Sequence, residues 1–397
     1  MVFNLIFGDC AELRSEQIDP GLSRDSFYIG LEHIEQQSLS LSGHGFGSDV
    51  DSQKQRFYEG DILFGRLRPY FRKVVVAPFD GICSTEIWVV KPKSGIDRNF
   101  VFYWMASEEF ITSSTLASEG GRMPRANWGW VSKFLLPNLG PSRQSVIGQT
   151  LGALDAKIEV NKQLSKTLEN IIQTVFKSWF IDFDPVKAKV AGGKPVGMDS
   201  ATAAMFPDSM EDSELGLIPI GWKPVQIGEL VVKQSVGKVF GAKTGSPTGE
   251  IPILDQRGSG KIGYHNEEPG FIASPEQAVV VFGNHSCVIR LISYPFSAIQ
   301  NVFPLLGNEV EVIWLYFAVL GKQEYEGYRG HWPDFVVKKA LRPPIGLTSA
   351  FHNLALPFFK QKWVLDEETK SLTQMRDALL PRLISGELHI PEEMLVS

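Results

Sequence analysis

The stretch Ser142–Phe180, which reads SRQSVIGQTLGALDAKIEVNKQLSKTLENIIQTVFKSWF, decides the fold of this chain. Its apolar residues recur in alternating steps of four and three, as in Ile147, Leu151, Leu154 and Ile158. This spacing predicts a helix with one narrow apolar seam that packs against another helix. At about 1.5 Å per residue, the helix would be on the order of 55 Å long. From this stretch alone, a long core helix inside a single domain is an equally good interpretation.

Two positions in the predicted seam are polar, Asn161 and Ser165. A buried polar residue in a coiled coil usually lowers stability and fixes the register, so we interpret both as alignment marks. The predicted seam comprises Leu151, Leu154, Ile158, Asn161, Leu168 and Ile172 on this helix and Leu365, Leu372 and Leu379 on a second one.

The second helix is predicted from about Phe358 to Leu383, because apolar residues recur there every seven positions. Its charges complement those of the first helix, so we predict that the two helices pack together; the antiparallel direction is predicted because each helix follows one copy of a repeated domain, which implies pseudo-two-fold symmetry. The charges expected to face each other are Asp366, Glu367 and Glu368 on the second helix and Lys157, Lys162 and Lys166 on the first.

Length and composition favour a globular protein of two or three domains. The chain has 397 residues, of which 43% are hydrophobic and 21% charged. No apolar run approaches the about eighteen residues of a membrane span, and the N-terminus does not resemble a signal peptide. The cysteines Cys10, Cys83 and Cys287 stand far apart, which favours the reducing cytoplasm. The net charge of −6 argues mildly against indiscriminate nucleic-acid binding.

The segment before the long helix reads as strands and loops. Apolar runs bounded by Gly, Pro and Asp predict strands at Ile62–Phe64, Val74–Ala77 and Ile87–Val90, and a short helix is predicted over Asn99–Phe110. After the long helix, residues 184–219 are rich in Gly, Pro and Ala. This segment also carries five acids without a Lys or Arg between Asp199 and Glu214, which is typical of a linker.

From Trp222 the sequence repeats its own landmarks in the same order. Ile227-Gly228-Glu229 echoes Phe7-Gly8-Asp9, and Phe282-Gly283 echoes Phe64-Gly65. Ordered echoes of this kind predict a tandem repeat of one unit, a globular α/β domain followed by a long helix. The fold class is therefore α+β, a pseudo-two-fold repeat with two antiparallel coiled-coil spacer helices. The predicted segments are residues 1–141 (first domain), 142–183 (central helix), 184–219 (acidic linker), 220–346 (second domain) and 347–397 (C-terminal helix and tail).

Catalytic motifs are missing from the sequence. Gly260-Lys261 is not a phosphate-binding loop, because Asp255 stands where the motif requires Gly. The histidines are scattered, and the one nuclease-like triplet, Glu368-Thr369-Lys370, lies on the predicted coiled coil. We therefore expect no catalytic residues, no metal and no cofactor in this chain.

Arginine and aromatic residues alternate instead in loops at matching places of the two repeats. Arg and Asn can form bidentate hydrogen bonds with guanine and adenine edges, whereas Lys mostly neutralises phosphate. Any single one of these residues could equally be ordinary surface. The candidate DNA-binding residues are Arg66, Arg68, Tyr70, Arg72, Lys73, Arg122, Arg125, Asn127, Trp128 and Lys133 in the first domain, and Lys238, Lys243, Gln256, Arg257, Lys261, His265, Tyr328, Arg329, His331 and Trp332 in the second.

Several stretches of the chain resemble the specificity subunit of Type I restriction–modification systems. The resemblance lies in GDILFGRLRPYFRKVVVAPFDGICSTEIWVVKP, in the long helix followed by WFIDFDP, in SELGLIPIGW and in LTQMRDALLPRLISGEL. It implies two target-recognition domains, each recognising one half of a split double-stranded DNA site, with the helices as spacer. It also implies two adenine methyltransferase subunits and two restriction/translocase subunits as partners, which would hold the S-adenosylmethionine, ATP and Mg.

Two other functions remain open from the sequence. The same architecture would suit the specificity factor of another phage-defence or stand-alone adenine-methylation system. A scaffold whose two domains bind proteins rather than DNA is the alternative from a different class. The target bases and the length of the gap between half-sites do not follow from the sequence.

Overall fold

The computed structural model describes residues 5–136, 139–241, 244–256, 260–391 and 393. The chain forms two compact units, of which unit 1 comprises Met1–Val160 and Thr369–Ser397, and unit 2 comprises Asn161–Glu368. Each unit combines small sheets with helices, so the fold class is α+β.

The main sheet of unit 1 has four antiparallel strands in the order β1-β4-β2-β3. They are β1 (Ala11–Leu13), β2 (Ile62–Gly65), β3 (Val74–Val76) and β4 (Ile87–Pro92). The three strands predicted from the sequence are thus present. Strand β2 is buried along its whole length because both faces of the sheet are covered. Phe64 and Trp88 belong to one apolar cluster, whereas Leu63 and Val89 belong to another.

Helix α1 (Arg98–Ala106) follows this sheet and is capped by Asp97, whose carboxylate accepts a hydrogen bond from the Phe100 amide at 2.9 Å. The single helix predicted over Asn99–Phe110 is in fact two, because Ser107 ends α1 and caps the next helix through the Phe110 amide. The remaining elements of unit 1 are a five-stranded mixed sheet (Gln17–Ile18, Lys54–Phe57, Gly81–Cys83, Phe27–Ile29 and Gly45–Phe46), the strand pairs Leu5–Ile6 with Leu135–Leu136 and Ser118–Glu119 with Arg125–Ala126, and helices Phe7–Cys10, Glu108–Leu116 and Trp128–Val131.

The main sheet of unit 2 has the same strand order, β5-β8-β6-β7, and is also antiparallel. Its strands are β5 (Val231–Lys233), β6 (Val279–Gly283), β7 (Ile289–Ile292) and β8 (Val302–Gly307). The other elements are a mixed sheet (Val239–Phe240, Ser297–Ile299, Ile251–Leu254 and Lys261–His265), the pair Lys223–Gln226 with Lys339–Arg342, and helices Ile227–Leu230, Val312–Val319 and Trp332–Val336.

Residues 184–219 contain more structure than their composition suggests. Helices form over Asp184–Val190 and Ser200–Met205, and a hairpin pairs Met210–Ser213 with Gly216–Pro219. Phe206 and Ile218 are buried in this segment. Packing against the rest of unit 2 therefore orders a segment whose acidic, Gly- and Pro-rich sequence reads as a linker.

Two long helices run through the chain, α2 (Gly140–Phe180) and α3 (Ile345–Ile384). The first is predicted almost to its ends, whereas α3 begins well before Phe358 and continues through Pro357. Gly148 allows α2 to approach α1 closely in unit 1, since a Cβ there would lie 2.6 Å from Asp97 Oδ1. In unit 2 both helices contribute aromatic side chains to one core cluster, namely Phe176, Trp179 and Phe180 from α2 and Phe351 and Phe359 from α3.

Candidate nucleic-acid interface

The first predicted basic segment of unit 1 is the turn at residues 66–73 between β2 and β3. Arg68 and Arg72 both have left-handed backbones, with φ of 51° and 52°, on either side of a short 3₁₀ turn. A non-glycine residue in that region costs on the order of 1 kcal/mol or more, and such strain persists only where neighbouring contacts impose it. Tyr70 lies at the tip of the turn and is exposed.

The second predicted basic segment of unit 1, residues 122–133, packs against this turn. Leu67 and Arg125 form a backbone bridge. The Arg68 amide donates to the Pro124 carbonyl at 2.8 Å, and the Ala126 amide donates to the Arg66 carbonyl at 2.9 Å. Residues that are far apart in the sequence therefore form one edge of unit 1.

Glu86, which sequence reasoning missed, lies beneath this edge at the start of β4. Its carboxylate accepts from Arg125 Nη2 at 2.7 Å and from Arg125 Nε at 3.0 Å, and it lies 3.9 Å from Arg66 Nε. Hydrogen bonding to Glu86 raises the pKa of Arg125 above its usual value. The carboxylate therefore holds arginines from both basic segments.

Three predicted DNA contacts in unit 1 make structural contacts within the protein. Lys73 donates to the carbonyls of Leu31 and Ile34, and burial lowers its pKa. Asn127 caps the helix Trp128–Val131 by accepting from the Gly129 amide at 2.8 Å. The ring of Trp128 packs in the core, with its centroid 5.5 Å from that of Phe7. Lys73, Asn127 and Trp128 are thus half-buried and held by contacts within unit 1, and their contact with DNA stays a prediction.

The other predicted residues of unit 1 lie at the surface. Arg122 and Lys133 are exposed. Arg68 donates to the Arg122 carbonyl at 3.4 Å, and Arg72 forms an ion pair with Glu108. Surface ion pairs of this kind are weak and exchange readily with phosphate, so they leave the guanidinium groups available for a polyanion.

In unit 2 the turn between β6 and β7 meets the loop at residues 324–332 in a similar way. The amides of His331 and Trp332 donate to the backbone carbonyl and the side-chain Oδ1 of Asn284, both at 2.8 Å. The Asn284 amide donates to the Asn301 carbonyl at 2.9 Å. Asn284 follows Phe282-Gly283 as Arg66 follows Phe64-Gly65, so the sequence echo already contained the signal that would have found it.

The predicted residues of unit 2 divide into surface and interior groups. Tyr328 is 86% exposed, and its ring lies 5.1 Å from that of His285. His331 is 0% exposed, and His265 is buried against Phe240 at 4.2 Å. Both histidines are therefore buried in this structure, and their contact with DNA stays a prediction.

The remaining candidates of unit 2 have protein partners or lie outside the described residues. Arg329 pairs with Asp334 and Glu326, Lys238 pairs with Glu267, and Lys261 lies 5.0 Å from the Tyr294 ring. Gln256 accepts from the His285 amide at 2.7 Å, and Trp332 packs 5.2 Å from Phe303. Trp332 is thus partly buried against the core of unit 2, and its contact with DNA stays a prediction. Lys243 and Arg257 lie outside the described residues.

The helix seam is formed inside each unit. In unit 2, Asn161 Nδ2 donates to Glu368 and Ser165 Oγ donates to Asp366, both at 2.8 Å. From the first of these pairs to the second, the residue number increases on α2 and decreases on α3, so the two helices are antiparallel there. Of the predicted seam, Leu151, Ile158, Asn161, Ile172 and Leu365 are buried, whereas Leu154, Leu168, Leu372 and Leu379 are half-buried.

Of the three predicted acidic residues of α3, Asp366 and Glu368 face α2, where they accept hydrogen bonds from the two polar seam residues. The sequence also missed Arg376, which is buried in the helix pair of unit 1. Its Nη1 donates to Asp155 Oδ1 at 2.7 Å, and Tyr103 donates to the other oxygen of Asp155 at 2.5 Å.

Replacing Asn161 by leucine is expected to lower the free energy of unfolding by about 1–2 kcal/mol, because Glu368 loses a buried donor. Replacing Asn161 and Glu368 together by leucine is expected to recover most of that loss. Urea unfolding followed by circular dichroism measures both. Asn170→Leu, the same change at an exposed position of α2, serves as control and is expected to stay within about 0.5 kcal/mol of wild type. A stable single variant would contradict the assigned hydrogen bond.

Among the described residues, no group of three or more His, Cys, Asp or Glu side chains is arranged to hold a metal ion. None of their helices is long and apolar enough to cross a bilayer.

The chain is similar to specificity subunits of Type I restriction enzymes. Residues 28–170 match the model of the Type I restriction modification DNA specificity domain. The chain is 23% identical to the Type I restriction enzyme HindI specificity subunit of Haemophilus influenzae, over 84% of this chain and 88% of the relative. It is 22% identical to the MjaIX specificity subunit of Methanocaldococcus jannaschii, over 76% and 71%. The crystal structure of a Type I system S subunit from M. genitalium has the same fold, with a TM-score of 0.54 at 14% identity over 97% of this chain and 96% of that one.

Proposed function

We propose that this chain, whose residues 28–170 belong to the Type I restriction modification DNA specificity domain family, is a DNA sequence-specificity subunit. It recognises a bipartite double-stranded target, one half-site with each unit. The observation that carries the proposal is the edge found in both units, where a turn after a Phe-Gly strand end meets a loop bearing arginine and aromatic residues.

The two units derive from one repeated domain. The main sheets share the strand order in which the third and fourth strands flank the second, and both are antiparallel throughout. In each unit the same two long helices pack beside the sheets, as the buried residues Leu151 and Leu380 in unit 1 and Ile172 and Phe351 in unit 2 indicate. We interpret α2 and α3 as a coiled-coil spacer that sets the gap between the half-sites.

The partners follow from the family. Two adenine methyltransferase subunits and two restriction/translocase subunits assemble with the chain in the cytoplasm, and these subunits hold the S-adenosylmethionine, ATP and Mg. The chain itself contributes target recognition and no catalytic group. A specificity factor for another phage-defence or stand-alone methylation system would use the same surfaces, and a protein-binding scaffold is the remaining alternative.

Selection from a random double-stranded DNA library by the full chain tests this function. We expect two conserved blocks separated by a gap of constant length. Affinity for the selected DNA should fall about a thousandfold between about 50 and about 200 mM salt if six phosphates are contacted. A single contiguous block would contradict a bipartite target, and an affinity insensitive to salt would favour the scaffold.

A further inference from the structure

In unit 1, Glu86 lies with its side chain against arginines of both basic segments, Arg66 and Arg125. Its backbone carbonyl accepts from the Arg66 amide at 2.9 Å, while its carboxylate accepts two or more hydrogen bonds from Arg125. Arg125 is also the residue that pairs with Leu67 through the backbone. An arginine held by a carboxylate on one side presents its remaining donors in a defined direction.

Unit 2 has a neutral counterpart at the equivalent place. Asn284 replaces Arg66 and Asn301 replaces Glu86, and the Asn284 amide donates to the Asn301 carbonyl as the Arg66 amide does to that of Glu86. The Asn284 side chain holds the Trp332 amide, and the loop approaches so closely that a Cβ at Gly330 would lie 3.1 Å from its Nδ2. The exposed Tyr328 lies in the loop that Asn284 holds in this way.

We infer that Glu86 and Asn284 are positioning residues, each of which orders the DNA-contacting loop of its own unit and thereby sets discrimination at one half-site. The inference rests on the proposed function. Neither side chain needs to touch a base, because its effect passes through Arg66 and Arg125 in unit 1 and through the loop that bears Tyr328 in unit 2. The two anchors differ in chemistry, an ion pair in one unit and amide hydrogen bonds in the other, so a change of charge acts on the first alone.

Glu86→Gln preserves the shape of the side chain and removes the charge that orients two arginines. We expect discrimination between the cognate and a mutated first half-site to fall about tenfold, as for the loss of one oriented bidentate contact. Non-specific affinity should rise, since the arginines become free for phosphate, and the slope of log K against log salt should steepen by about one. A variant that only lost structure would show lower specific affinity and lower non-specific affinity.

Asn284→Ala tests the second anchor and should weaken discrimination at the second half-site only. Asn284→Asp retains the oxygen that accepts from the Trp332 amide and is expected to preserve the second block, which keeps the test decisive if the alanine variant folds poorly. Glu12→Gln is the matched control for charge in unit 1. Glu12 pairs with Lys91 at 2.7 Å on the main sheet, so both blocks should be retained.

Library selection with each full-length variant gives the result directly, with the other half-site as the internal standard. The inference holds if Glu86→Gln lowers the sequence conservation of one selected block and Asn284→Ala lowers that of the other. It is overturned if Glu86→Gln or Asn284→Ala leaves both blocks intact or degrades both equally. If the wild-type chain selects no bipartite sequence at all, the proposed function fails instead, so the two failures are distinguishable.

Discussion

Replacing Asp155 by alanine is expected to lower the free energy of unfolding by about 3–5 kcal/mol, the cost of leaving a buried charge without its partner. The Arg376 side chain is 2% exposed, and its Nη1 donates to Asp155 at 2.7 Å. The same carboxylate accepts from the phenol of Tyr103, whose pKa burial and the Asp155 charge hold well above its usual value. The phenol therefore remains a donor at neutral pH, and the substitution removes the acceptor of two buried groups at once.

Urea unfolding followed by circular dichroism measures this loss, and two further variants locate its origin. Asp377→Ala removes the exposed partner of Arg376 and is expected to cost less than about 1 kcal/mol, because solvent screens that pair. Replacing Asp155 by leucine, Arg376 by methionine and Tyr103 by phenylalanine together is expected to restore near wild-type stability, since no buried polar group is then left unpaired. A loss below 1 kcal/mol in Asp155→Ala would show that Asp377 alone satisfies the arginine.

Some elements of the fold can be predicted from the sequence and others cannot, and the network around Arg376 belongs to the second group. The alternating four-and-three spacing identified α2 nearly to its ends, since no proline interrupts it and a long periodic signal is hard to mistake. The start of α3 was misplaced because Pro357 reads as a helix boundary. In the structure, burial of Leu347, Phe351 and Ala355 before that proline sustains the helix. Arg376 could not be assigned to the seam, because an arginine is buried only where a distant carboxylate meets it.

For the candidate interface, residue type and position in the repeat selected segments that lie together in unit 1, but they did not predict that contact or which side chains point outward. The turn at residues 66–73 and the strand Arg125–Ala126 were both chosen for their arginines, and they do pair. Lys73 and His331 have side chains of a type that can bind DNA. In the structure the Lys73 amine donates to backbone carbonyls and His331 is buried, and both arrangements depend on contacts distant in sequence. Glu86 carried no local signal, because a single acid before a strand looks like any surface residue.

Deleting one heptad from each long helix is expected to shorten the gap between the selected half-sites by about three base pairs. The contacts of Asn161 with Glu368 and of Ser165 with Asp366 place residues 162–168 of α2 opposite residues 363–369 of α3. Removing both segments shortens the helix pair by about 10 Å and keeps the apolar seam in phase, since seven residues are close to two turns. At about 3.4 Å per base pair, the proposed spacer then spans three fewer.

Library selection measures the outcome, because each block should keep its sequence while the gap between them changes. Three base pairs also turn the half-sites by about 100° around the DNA axis, so affinity for the shortened target should be weaker than that of the wild-type pair. Deleting the segment from α2 alone removes Ser165, which donates to Asp366, and shifts the seam residues after Leu168 out of register with α3, so it should destabilise the chain rather than yield a new gap. A gap that stays unchanged in the double deletion would show that the spacing is set by the partner subunits or by the DNA, and α2 and α3 would then serve only to stabilise the two units.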